Sequence, residues 1–163
     1  MISRDRLTAS LDGEFAVFLI GMRINKPLLV HRWLPVLRAM GQMIGELHSR
    51  PELGFLHAES WLSRTTVMIQ YWRSSEQLLA YAKDRDSSHL PAWRAFNRAA
   101  GIDGSVGIWH ETYLASSGSY ENIYVGMPPF GLGRAGQLEP ASGRKNTAGD
   151  RLRRTQSEPQ QFI

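Results

Sequence analysis

The sequence predicts an α+β domain with one antiparallel sheet and its helices on one side. Three observations carry this. The apolar period alternates between two residues and three-to-four residues, in the order β-α-β-β-α-β. The second and third strands are separated by so few residues that they form a hairpin. The chain has 163 residues, 42% of them hydrophobic, which suits one domain with a core of its own. The order is that of the split βαβ, or ferredoxin-like, arrangement.

Each element has its own local reason. "FAVFLIGMRI", Phe15–Ile24, is a strand apolar on both faces. Phe15, Val17 and Leu19 point one way; Ala16, Phe18, Ile20 and Met22 point the other. From Leu29 to Ser49, Trp33, Val36, Leu37, Met40, Ile44 and Leu47 recur at helical spacing, with Pro35 in the first turns where proline is tolerated. "RPELG" is a turn. "FLHAESWL" and "TTVMIQYWR" form the hairpin around Ser63–Arg64. "SSEQLLAYA" is a helix opened by the capping pair Ser74 and Gln77. "HLPAWRAFNRA" is a second short helix after the "DRDSS" break. "SVGIWHETYLA" is the fourth strand, and "YENIYVGM" is a further extended piece.

A ferredoxin-like sheet carries helices on one face, so its other face should alternate with polar residues. Here bulk lies on both. Trp72 and Met68 back onto Tyr71 and Ile69, and Phe18 and Ile20 back onto Val17 and Leu19. The expected cover is a second copy of the chain, sheet against sheet about a two-fold axis. In that reading "GIWHETYL" has two buried faces, one under helices and one in a dimer barrel.

Charge and composition exclude several classes. There is no cysteine, hence no disulfide, thiolate nucleophile or cysteine metal site, and a reducing cytoplasm is expected. No apolar signal segment opens the chain, and "FAVFLIGM" is far short of a bilayer span. The net charge is +4, but six basic and three acidic residues lie from Arg134 onward, so residues 1–133 are nearly neutral. Neither nucleic acid nor membrane is expected as a partner. Phosphate-binding glycine loops, the hydrolase elbow and the zinc-peptidase motif are absent. The expected division is a flexible segment 1–12, a domain 13–133 and a disordered basic tail 134–163, because the tail is poor in large apolar residues. Truncation after Gly133 is then expected to leave the melting temperature nearly unchanged.

Candidate chemistry sits on aromatic ground. His89, Trp93 and Phe96 share one helical stripe, beside a break whose helix start disfavours an imidazolium. Such a histidine is either a satisfied core group or a pocket base. His110 and Glu111 are neighbours on a strand and cannot face one pocket together. Glu111 goes with Trp109 and Tyr113, and His110 with Ile108 and Thr112. Tyr71, Trp72 and Arg73 end the hairpin, and Tyr120, Glu121 and Tyr124 mark the last extended piece. The bland reading of these rings is core and interface. The sharper one is a hydrophobic cavity with a few polar handles.

"FLIGMRINK", "VMIQYWRSSEQLLAYAKD", "HLPAWRAFNR", "VGIWHETYLA" and "YENIYVGMPPFGLG" together resemble a monooxygenase-like family of unknown function, over about residues 13–133. That family is related to the antibiotic-biosynthesis monooxygenases of the dimeric α/β barrel superfamily. The resemblance implies a homodimer and a pocket for a small aromatic or polycyclic substrate of secondary metabolism. The catalytic candidates are His89, His110 and Glu111. The substrate-binding candidates are Tyr71, Trp72, Arg73, Trp93, Trp109, Tyr113, Tyr120 and Tyr124. The expectation is a cofactor-free enzyme, whose deprotonated substrate gives an electron to O₂. His89 would act as the base. The superfamily also offers haem proteins, with His89 or His110 as the axial ligand, and non-catalytic ligand-binding dimers.

Overall fold

The computed structural model describes residues 4–84, 96 and 103–152. Four strands form the main sheet: β2 (Glu14–Ile24), β3 (Phe55–Trp61), β4 (Val67–Trp72) and β5 (Val106–Ser116), in the spatial order β3-β4-β2-β5. All three pairings are antiparallel, as a ferredoxin-like sheet requires. β1 (Leu7–Ser10) and β6 (Gln137–Pro140) make a second, two-stranded sheet.

Helices α1 (Val30–Ser49) and α2 (Ser75–Lys83) lie on one side of the main sheet. The α1 stripe seats itself in two places. Ile44 and Leu47 join Ala16, Phe55, Trp72, Leu78 and Tyr81, while Trp33, Val36 and Leu37 close over Met22 and Val106. Pro35 stays inside α1. At α2 the Ser74 hydroxyl accepts the Gln77 N–H at 3.2 Å. The Gln77 side chain donates to the Glu52 carbonyl instead of returning to the cap, so the capping box is half made. The proposed helix over residues 89–99 lies outside the described residues apart from Phe96, which is helical and packs against the Met22 cluster.

Register settles which side chains share a face. Ala16, Phe18, Ile20 and Met22 face the helices with Trp72, Gln70 and Met68, and with Leu114, Thr112, His110 and Ile108. Phe15, Val17, Leu19, Tyr71, Ile69, Trp109, Glu111 and Tyr113 face the other way. At Gly21 the sheet permits no side chain. A Cβ there would strike the Thr66 carbonyl and come within 2.7 Å of the Trp109 Nε1.

Several sequence-based expectations fail on the second face. "YENIYVGM" is not a strand; Tyr124 makes one isolated bridge to Leu7. The supposed tail is folded from Arg134 to Leu152, with α3 (Leu132–Ala135), β6 and α4 (Ala148–Leu152). The N-terminal segment, expected to be flexible, supplies the partner: Leu7–Ser10 pairs with Gln137–Pro140. Strand pairing needs backbone partners more than greasy residues, and four small anchors suffice here. Leu132, Ala135 and Leu138 pack on Phe15, Val17, Tyr71, Tyr120 and Tyr124, and Ala141, just after β6, is buried too. The side chain of Asn122 ties in the same layer, accepting the Ala9 N–H at 2.6 Å and donating to the Ala9 carbonyl at 2.9 Å. Part of the face assigned to a second copy is therefore covered by the chain itself. Residues His110–Leu114 are exposed, so "GIWHETYL" is not buried on both faces within one chain. Among the described residues, no helix is long and apolar enough to cross a membrane.

Candidate functional site

A cleft opens between the helix-facing side of the sheet and the inner stripes of α1 and α2. Phe18 and Ile20 come from β2, and Met68, Gln70 and Trp72 from every second position of β4. Met40, Met43, Ile44 and Leu47 come from α1, and Leu78, Tyr81 and Ala82 from α2. The space measures about 450 Å³ including its mouth to solvent. Its enclosed part holds on the order of a few water-sized groups. The wall is almost wholly apolar, and three of its side chains are methionines, which repack at little cost.

Two polar residues reach this wall. Tyr81 points its hydroxyl away, donating to Glu46 Oε2 at 3.1 Å, and burial first, then the Glu46 charge, pushes its phenol well above the ordinary range. Gln70 stays inside. It is 7% exposed, its Oε1 accepts the Trp72 Nε1–H at 2.9 Å, and its Nε2 lies 3.2 Å from the Met68 sulfur. Sequence reasoning passed over Gln70. The signal was available in Met68-Gln70-Trp72, one polar residue between two large apolar ones on the same strand face.

The sequence-based candidates divide between the two faces. Trp72 lines the cleft at 1% exposure, edge-on to Phe55 at 5.5 Å and tilted against Tyr81 at 5.7 Å. His110 is on the same side of the sheet, 5.7 Å from the Phe18 ring, and its ring makes no hydrogen bond among the described residues. His89 and Trp93 lie outside the described residues. Arg73 is exposed beyond the end of β4. Tyr71, Trp109, Glu111 and Tyr113 are on the opposite face, and Tyr120 and Tyr124 pack over that face, so none of the six borders the cleft. Strand alternation forces this: Tyr71 cannot join Trp72, nor Glu111 join His110.

The opposite face has a constellation of its own. A β-bulge between Phe55 and His57 shifts the register, so that Phe55 points to the helices and His57 to the far side. His57 Nε2 lies 2.9 Å from Glu59 Oε1, and that oxygen also accepts the Gly131 N–H at 3.2 Å. Gly131 has φ +54°, and a Cβ there would meet the Tyr71 hydroxyl at 3.1 Å. Burial, chiefly, raises the Tyr71 and Tyr124 phenols, and the Gly133 N–H donates to Tyr124 at 3.0 Å. These contacts fasten the C-terminal segment to the sheet. Nearby, the exposed Tyr113 donates to Glu111 Oε2 at 2.6 Å, and that bond holds its phenol above the usual value.

No group of three or more metal-ligating side chains occurs among the described residues. With α1 and α2 where they stand, the enclosed room of the cleft is too small for the macrocycle of a haem.

The profile of the monooxygenase af470-like family matches residues 15–132, from the second residue of β2 to the first residue of α3. The chain belongs to this family. Within the af470-like family it is similar to Monooxygenase af470 of Aspergillus fumigatus, at 32% identity over 135 residues. That alignment covers 75% of this chain and 46% of the relative, so the chain spans about half the relative's length. In three dimensions this af470-like chain is similar to an aldoxime dehydratase solved with butyraldoxime, at a TM-score of 0.66 and 17% identity, over 81% of this chain and 40% of that one. A second aldoxime dehydratase gives a TM-score of 0.65 at 19% identity, over 83% and 42%. At such identities the likeness concerns the fold, which is α+β and ferredoxin-like.

Proposed function

We propose that the chain is a monooxygenase-like enzyme that takes a small aromatic substrate into the cleft between sheet and helices. The supporting observation is the cleft itself: apolar walls with one inward polar group, in a member of a monooxygenase-like family. As it stands the cleft suits a single ring better than a polycycle. In the cofactor-free route, a base removes a proton from an activated CH₂ of the substrate. The carbanion then reduces O₂, one oxygen atom remains as a carbonyl and the other leaves as water. The substrate supplies all the electrons. His89 is the proposed base, with His110 as the second candidate. The proposed setting is the cytoplasm, on the absence of cysteine.

Oxygen uptake with a panel of single-ring phenols and benzylic ketones tests this reading. Met43→Trp fills the cleft, and kcat/KM should fall at least tenfold while the fold is kept. Equal uptake by the wild type and Met43→Trp would move the chemistry away from the cleft. Binding with no uptake across the panel would favour a non-catalytic ligand carrier. A Soret band in the purified protein would favour a haem protein.

We also propose a homodimer through the part of the far sheet face that the C-terminal segment leaves open. Trp61, at 44% exposure, and Tyr113, at 54%, lie there with Leu19, Val67 and Ile69. Light scattering at micromolar concentration should give twice the chain mass. The double variant Trp61→Glu, Tyr113→Asp should give the monomer mass. A monomeric wild type would end this proposal.

A further inference from the structure

The polar residue in the cleft has its orientation fixed by its neighbours. An amide can be turned either way, but an indole N–H can only donate. The Trp72 Nε1–H at 2.9 Å therefore demands that Gln70 present its oxygen to Trp72. The amide NH₂ is then turned along the wall, where its acceptor is the Met68 sulfur at 3.2 Å. A thioether is a weak acceptor. One amide donor thus stands in an apolar cleft, held by a strong bond on its oxygen side and a weak one on its nitrogen side. A buried donor in that condition gains from any ligand oxygen that displaces the sulfur. Met68 is unbranched and can swing aside to permit it.

We infer that Gln70 is the specificity-determining residue of the cleft, and that it selects aromatic ligands bearing a hydrogen-bond acceptor, such as a carbonyl, next to the ring. This rests on the cleft being the binding site, as proposed above. Gln70 is a positioning residue. Its Nε2–H holds the ligand oxygen at the β4 wall, while the ring lies among Phe18, Met40, Met43 and Ile44. The same donor works against purely hydrocarbon ligands, which would bury it with only the sulfur for company. It also works against ligands whose sole polar group is an ammonium, which offers no lone pair.

The test uses two probes of similar size, acetophenone and cumene, in which a carbonyl group of the one is replaced by a CH–CH₃ unit in the other. Each is titrated into the full chain and followed by ¹H–¹⁵N NMR at the Gln70 side-chain amide and the Trp72 indole. Acetophenone should bind about three- to tenfold more tightly than cumene, the range expected of one added hydrogen bond. It should shift the Gln70 NH₂ signals, which cumene leaves nearly in place. In Gln70→Met, close in length and shape but without the donor, the preference for acetophenone should vanish or reverse, because its carbonyl is then buried without a partner. The wild-type comparison does not depend on any variant folding. Equal binding of both probes to the wild type would overturn the role of Gln70 and leave the cleft reading intact. Failure of both probes to bind would overturn the cleft reading and this inference together. A carbonyl preference that survives unchanged in folded Gln70→Met would assign the selection to another group and overturn the inference.

Discussion

A chain ended after Phe130 is expected to melt about 10 °C or more below the full chain. The deletion removes Leu132 and Leu138, which pack on Phe15, Val17 and Tyr71, and it strips β1 of its ladder to β6. Two leucine-sized side chains contribute roughly 1.5–3 kcal/mol each when well buried, and Leu138 is only partly so. In a domain of this size each kcal/mol is worth roughly 2–4 °C. Lost with them are the Gly131 N–H on Glu59 and the Gly133 N–H on Tyr124. Differential scanning calorimetry on the two chains decides it. A melting temperature within about two degrees of the full chain would mean that residues 131–152 do not hold the sheet.

Trp72→Ala is the other substitution with a large expected cost, about 3–5 kcal/mol in denaturant unfolding. The indole is nearly inaccessible, sits between Phe55 and Tyr81, and lies opposite Ala16 in the ladder. Ala16 is too small to fill the vacated space, and the neighbouring rings are tied to the sheet and to α2. The substitution also leaves the Gln70 oxygen without its donor. Trp72→Phe should cost less, since a ring remains and only the N–H is lost. A cost below about 1 kcal/mol for Trp72→Ala would show that α2 collapses into the gap.

The main sheet was legible because its strands are long and the two periods are clean. Glu14–Ile24 and Val106–Ser116 fall within one residue of the sequence expectation, as does α1. The face on which each residue points followed from alternation, which is why His110 and Glu111 separate as expected. The candidate site was less legible, for a reason of the same kind. "YWR" and "WHETY" stand out as aromatic runs, but a run on a strand necessarily spreads over both faces, so half of it misses any one pocket. The bulge at Phe55/His57 left no mark on the apolar pattern. The His57–Glu59 pair, which depends on that bulge, was invisible without coordinates. The C-terminal layer was missed because hydrophobic content was the only measure applied to it. Its cohesion comes from the N-terminal strand, from Asn122 acting as a side-chain substitute for a strand, and from Arg151 donating twice to Glu121 Oε2, at 2.7 and 3.0 Å.

The pairing of Leu7 with Pro140 joins positions near opposite ends of the described chain. The whole main sheet lies between them. Closing so long a loop is entropically slow, though the extra cost grows only logarithmically with length. During synthesis β2 through β5 leave the ribosome before residues 137–140 do. For that interval Phe15, Val17 and Tyr71 lack the cover that α3 and β6 later provide. The second face of the sheet is then a sticky surface with two suitors, the chain's own end and another nascent copy. Which arrives first depends on chain concentration in one case and not in the other. Once α3 and β6 are seated, Phe15, Val17 and Tyr71 are covered by the chain itself, and that part of the face is closed to a second copy.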